Sequence, residues 1–243
     1  TVLYHVAAAT GGDWAAYHMG TVVGTENVLQ AALEAGVEKV VYVSSMGVLH
    51  SSRFPRIGSV DENFPLEKNP KDRGHYSRAK LEAEYIARDY FKQNLNICII
   101  RPGLVYGPGN SEFLSDAGFK VSNKLVLAVG MGRRRLGLTY VENLVDALVQ
   151  VEKKNNYNGK TFNVIDPDQP TVHTYIKLFR ENTKRKIKVI YLPVFLWKLG
   201  FTTLDGLLRL IRGESPKLSY KLRSIARGPR YNTSAAQNEL DWK

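Results

Sequence analysis

One cysteine, Cys98, stands among 243 residues, so no internal disulfide framework exists and a reducing compartment is expected. It lies in the apolar run NICII, where a buried structural thiol is the expectation rather than a nucleophile. No stretch approaches the roughly 18 apolar residues of a membrane span, so no integral membrane segment is expected. The histidines, His5, His18, His50, His75 and His173, show no metal-ligand spacing, and no metal is expected. Basic motifs with interleaved aromatics, as RNA- and DNA-binding modules carry, are missing, which argues against a nucleic-acid partner. Internal repeats and low-complexity tracts are missing too. The opening TVLYHVAAAT is apolar but has no basic leader, so a signal peptide is not expected and the location is read as cytoplasmic. Because it starts at Thr1 rather than methionine, residues upstream are expected.

What is present is ordinary in bulk and unusual in charge. With 44% hydrophobic and 23% charged residues, the composition fits a globular chain long enough to bury about 70% of its unfolded surface. A net charge of +11 points to a basic surface, an anionic cofactor or an acidic membrane surface. The cations are dispersed, apart from Arg133, Arg134 and Arg135 and a Lys/Arg-rich stretch from Lys217 to Arg230.

Apolar runs alternate with helical patterns through the first half, the mark of parallel βαβ units. VLYHVAA reads as a buried strand, residues 22–35 as a helix ending at Gly36, and KVVYVSS as a strand buried on both faces. A long helix follows from Tyr76 to Lys92, then the strand NICIIRPGLVYG. Residues 111–136 read as partly helical, LTYVENLVDALVQVEKK as a short strand and helix, and GKTFNVID as a further strand. From Thr171 onward the pattern is mainly helical, with no further buried strand expected.

In GHYSRAKL, Tyr76 precedes Lys80 by one helical turn. Reversible hydride transfer to a carbonyl needs one group to protonate the oxygen and another to hold it. A phenol with its ordinary pKa of about 10 is too weak an acid near neutrality. A lysine on the same helical face stabilises the phenolate. Ser44 and Ser45 end the strand KVVYVSS, at the sheet edge where open α/β folds bind ligands. Together these residues predict a serine–tyrosine–lysine centre of Ser44 or Ser45 with Tyr76 and Lys80.

The segments YHVAAAT, GTENVLQAA, VVYVSSMGV, YSRAKLEAE, IIRPGLVYGPGN, LTYVENLVDAL and GKTFNVID, in this order, resemble the extended short-chain dehydrogenase/reductase family. The likeness is to its epimerase/dehydratase and 3β-hydroxysteroid-dehydrogenase-like branches. It implies a Rossmann-like doubly wound parallel sheet with a smaller, mainly helical substrate-binding region. Residues 1–110 and 137–168 would form the former, and 111–136 with 169–243 the latter. It implies NAD or NADP as cofactor, with Ser45 as the orienting hydroxyl and Tyr76 as acid/base. Lys80 would tune the phenol and hold the ribose. Ala7, Ala8, Ser44, Pro102, Gly103 and Val105 would line the cofactor, and Met46 with Arg133, Arg134 and Arg135 the substrate. Relatives dimerise through the helices carrying YxxxK and GTxNV, so a homodimer is implied as well.

Two features depart from the family pattern. Its glycine-rich turn is not found, since Gly11-Gly12 does not form G-x-x-G-x-x-G, and the chain is expected to enter the fold at the fourth strand. Thr21 also stands where asparagine is common. The implied activity is interconversion of a hydroxyl and a carbonyl, with a nucleotide-sugar epimerase/dehydratase as one alternative and a truncated, non-catalytic scaffold as another. On the substrate side, the arginines suit a nucleotide sugar and the apolar C-terminal region a lipophilic alcohol or ketone. In LPVFLWKLGFTTLDGLLRLIRG, Leu204, Leu207, Leu208 and Ile211 form one helical stripe flanked by Lys198, Arg209 and Arg212. The stripe admits three readings: internal packing, a lid over a hydrophobic substrate, and a membrane-surface helix.

Overall fold

The computed structural model describes residues 1–54, 58–109, 115–154, 157–183, 186–212, 218, 222 and 226–242. In chain order the first elements are β1 (Val2–His5), α1 (Trp14–Tyr17), a π-helical turn (His18–Val23), α2 (Gly24–Glu34), β2 (Lys39–Val43) and β3 (Ser59–Val60). Next come α3 (His75–Lys92), β4 (Ile97–Pro102), β5 (Leu104–Tyr106), β6 (Phe119–Ser122), β7 (Leu125–Val129) and β8 (Leu138–Tyr140). The chain continues through α4 (Val141–Lys153), β9 (Thr161–Val164), α5 (Val172–Thr183), β10 (Lys188–Leu192), α6 (Val194–Arg212), β11 (Arg230–Tyr231) and α7 (Ser234–Leu240).

The main sheet has the order β1-β2-β4-β9, and every neighbouring pair is parallel. Its helices cover both faces, as the continuous apolarity of its central strands requires. Side chains alternate across a strand, so Val40 and Tyr42 face one layer with Leu29, Ala83 and Ala87. Val41 and Val43 face the other, with Ala147, Leu148 and Val151 of α4. Cys98 lies fully buried in that second layer, and burial pushes its thiol pKa up, as a structural cysteine requires.

A second, smaller sheet has the order β10-β7-β6, with β6 antiparallel to β7. Over 111–136, read as partly helical, the described part holds one 3-10 turn, Ser115–Ala117, and then the β6–β7 hairpin, which was not expected. The alternation in FKVSNKLVLAV has the period of a strand, which accounts for the hairpin. β10 likewise adds a strand to the region read as mainly helical, on the outside of that sheet and only partly buried. The last helix differs from expectation as well. Ala236 and Leu240 of α7 and Trp242 pack with Val41, Cys98 and Ile100, so the chain returns to the main sheet rather than ending in the substrate-binding region.

Candidate active site

β2 delivers its C-terminal residues to the carboxyl edge of the sheet, where Ser45 takes an extended backbone (φ −164°, ψ 150°) and caps the 3-10 turn Met46–Val48. Its Oγ accepts a hydrogen bond from Gly47 N at 3.0 Å. A Cβ on Gly47 would lie 3.0 Å from Ser77 Oγ, so the β2 turn and the start of α3 meet closely. That approach brings Tyr76 and Ser45 to the wall of one cleft. Tyr76 is 40% exposed at the mouth of the cleft, whereas Lys80, one turn further along α3, is 3% exposed.

The electrostatics are set first by desolvation. Burial raises the Tyr76 pKa, the neighbouring Ser45 hydroxyl pulls it back, and Tyr17, whose ring centroid is 6.5 Å away, adds to the rise. The lowering expected from Lys80 is not among these influences. Lys80 Nζ instead donates to Val43 O at 2.7 Å and lies 5.5 Å from the Tyr42 ring centroid. Burial brings its own pKa down to about 8. Behind it, His5 is buried with Nε2 2.9 Å from Thr25 Oγ1, and burial followed by the Lys80 charge lowers its pKa.

A further helical turn along the same face of α3 is Glu84, fully buried. Its carboxylate accepts from Ser44 Oγ at 2.6 Å and from Arg101 Nη2 and Nε at 2.6 and 3.1 Å. Arg88 adds a bond of 2.9 Å to Oε1. Burial by itself raises the Glu84 pKa, but Arg101, Ser44 and Arg88 together outweigh it and the pKa is lowered. Ser44, expected beside the cofactor, thus commits its hydroxyl to the scaffold. The network escaped the sequence reading, although two signals for it are visible. Tyr76, Lys80 and Glu84 recur every fourth residue, and Arg101 is the lone charge in the strand ICIIRP.

Ser45, Tyr76 and Lys80 open onto a cleft of about 830 Å³. Of the residues expected to line it, Ala8, Ser44, Ser45, Met46, Tyr76, Lys80, Pro102, Gly103, Val105, Arg134 and Arg135 do so. Ala7 does not, and Arg133 is exposed away from it. Arg135 Nη1 donates to Gln169 O at 2.8 Å, and Arg134 donates to the Asp116 carbonyl. Burial lowers the Arg134 pKa, and its Nε has no partner among the described residues. Arg73 and Arg227 enter the same cleft, unforeseen from sequence, with Arg73 Nη1 2.6 Å from Ser51 Oγ. Thr21, the departure noted above, lies in the π-helical turn, where its Oγ1 accepts from Ala9 N at 2.9 Å and ties the loop after β1 to the helix.

Comparison with known proteins follows the same lines. The family model for the NAD dependent epimerase/dehydratase family matches residues 1–164. A farnesyl-dihydroquinoline-oxide ketoreductase of Stigmatella aurantiaca is 25% identical over 99% of this chain and 72% of its own length. N-acetyl-alpha-D-glucosaminyl-diphospho-ditrans,octacis-undecaprenol 4-epimerase of Escherichia coli O157:H7 is 25% identical over 80% of this chain and 57% of its own. Short-chain dehydrogenase/reductase family 42E member 1 of Mus musculus is 40% identical over 52% of this chain and 34% of its own. This chain thus spans little more than half, or less, of several relatives. Among solved structures, gox2253 matches the whole chain with a TM-score of 0.81 at 20% identity, covering 73% of that protein. UDP-glucuronic acid 4-epimerase from Bacillus cereus, solved with NAD, also matches the whole chain, with a TM-score of 0.71 at 19% identity over 68% of that protein. Sheet, helix order and sequence agree, and the chain belongs to the NAD dependent epimerase/dehydratase family, of the extended short-chain dehydrogenase/reductase type.

Proposed function

We propose that this chain carries the catalytic residues of an oxidoreductase that interconverts a hydroxyl and a carbonyl, with NAD or NADP as the hydride carrier. The observation that carries the reading is the convergence of Ser45, Tyr76 and Lys80 on one cleft, with Lys80 buried one turn along the same helix as Tyr76. The residues fit the nicotinamide end of such a cofactor. Gly103 leaves backbone without a side chain at the cleft wall, and Lys80 offers a buried cation for the ribose. When bound, the cofactor supplies or accepts the hydride. Tyr76 gives its proton to the carbonyl oxygen as charge develops there, and Ser45 holds that oxygen in place.

For the substrate we favour a lipophilic alcohol or ketone. Phe54, Leu104, Val105 and Ile165 give much of the cleft an apolar wall, and relatives include the ketoreductase above and a 3beta-hydroxysteroid-dehydrogenase/decarboxylase of Arabidopsis thaliana. A second reading, a nucleotide-sugar epimerase, is favoured by Arg134, which lines the cleft with an unpartnered Nε. Two measurements decide. Tyr76→Phe abolishes turnover while folding and cofactor titration stay as in the wild type; retained turnover removes Tyr76 from the chemistry. Titration with NADH and NADPH gives the cofactor preference, and turnover confined to nucleotide sugars, with NAD retained through purification, replaces the reductase by the epimerase.

A further inference from the structure

The helix α6, Val194–Arg212, is 19 residues long and uses only one of its sides. Trp197 and Phe201 hold it on the small sheet, with ring centroids 4.8 and 6.0 Å from Phe119 of β6 and 5.3 Å from each other. At about 100° per residue, Leu196, Leu199, Leu207 and Leu210 point away from that contact. They are 43, 64, 54 and 85% exposed, a leucine face with nothing described against it. No residue of α6 lines the cleft, so the lid reading of this stripe has no support.

Charge selects the occupant. Lys198 and Arg209 lie on a third sector of the helix, beside the leucine face, and the stretch from Lys177 to Arg212 holds nine basic residues against two acidic ones, Glu181 and Asp205. Asp205 is engaged internally, accepting from Leu218 N at 3.0 Å. A second copy of α6 would bring cations together as it covered the leucines, whereas an anionic, apolar surface satisfies both. No described helix is long and apolar enough to cross a membrane. A helix with a leucine face and flanking cations lies in the headgroup boundary instead.

We propose that α6 docks this protein on anionic phospholipid, its leucine face among the acyl chains and Lys198 and Arg209 at the headgroups. The inference is independent of the reaction above. The test mixes the full chain with vesicles of phosphatidylcholine and phosphatidylglycerol in equal parts, and with phosphatidylcholine alone, followed by sedimentation. The wild type pellets with the anionic vesicles. Leu199→Ser with Leu210→Ser weakens binding on the order of tenfold or more, with the melting temperature unchanged because both side chains are already in water. Lys198→Gln and Arg209→Gln each weaken it by about fivefold. A chain that stays in the supernatant with anionic vesicles overturns the proposal. So does binding insensitive to the leucine substitutions, or a concentration-dependent dimer dispersed by Leu210→Glu, which would make a second copy the occupant.

Discussion

Lys80 carries the largest tension at the scale of single residues, because its ammonium is held almost out of water by a carbonyl and an aromatic ring. Its folded pKa of about 8 lies below the ordinary 10.5, so the folded chain holds that proton less tightly than the unfolded one. Stability therefore rises with pH between those values. Against Lys80→Met, which has no proton to lose, the wild type gains roughly 3 kcal/mol across the window. Urea denaturation below pH 8 and near pH 10.5 checks this, and a difference that does not change with pH would place the ammonium in water. Glu84 has the opposite character, a buried anion fully matched by cations. Glu84→Gln leaves Arg101 buried without its counter-charge, at a cost of roughly 3–5 kcal/mol. The double variant Glu84→Leu with Arg101→Leu costs less than the two single changes summed, which the same denaturation measures. Because Ser44 Oγ binds Glu84, the damage reaches the strand end that presents Ser45.

Among elements, the junction of β4 with β8 shapes the cleft. A Cβ on Gly103 would lie 2.3 Å from Gly137 O and 2.8 Å from its carbon, backbone against backbone with no flexible side chain to yield. Gly103 N also donates to Thr139 Oγ1 at 2.9 Å, and Thr139 in turn bonds Val164 O at 2.6 Å, so three strands lock at this point. Gly103→Ala should cost about 1–3 kcal/mol as the strands separate and weaken cofactor binding, both measurable by thermal denaturation with and without NAD. The expectation that Gly103 lines the cleft came from the run RPG and its family resemblance; why only glycine fits there was not legible, because Gly137 approaches from far along the chain. The same division recurs elsewhere. The βαβ alternation and the Ser45–Tyr76–Lys80 spacing are local patterns and were readable. The β6–β7 hairpin was masked by turn residues and cations that also suit helices. The turning of Lys80 onto Val43 and of Ser44 onto Glu84 depends on which groups burial leaves nearest, and no spacing rule contains that.

For the molecule as a whole, the segment from α7 to Trp242 packs back against α4. Trp242, 1% exposed, fills the core beside Ala236 and Leu240, and its Nε1 donates to Asn143 O at 2.8 Å. Asn143 in turn donates through Nδ2 to Asp166 Oδ1 at 2.9 Å, while Asp166 Oδ2 accepts from Tyr140 N at 2.9 Å. The final residues therefore brace the first turn of α4, whose Val141 and Leu144 form part of the cleft wall. Trp242→Ala removes the packing and the brace together, and should lower stability by roughly 3–5 kcal/mol. Trp242→Phe keeps much of the packing and loses the bond, worth about 1 kcal/mol by itself. If the brace matters to the site, Trp242→Phe also weakens NAD binding at a temperature where the variant is fully folded, which calorimetric titration reads directly. An unchanged affinity in that variant would confine Trp242 to holding the core, and the cleft wall would then rest on the main sheet and Asp166 alone.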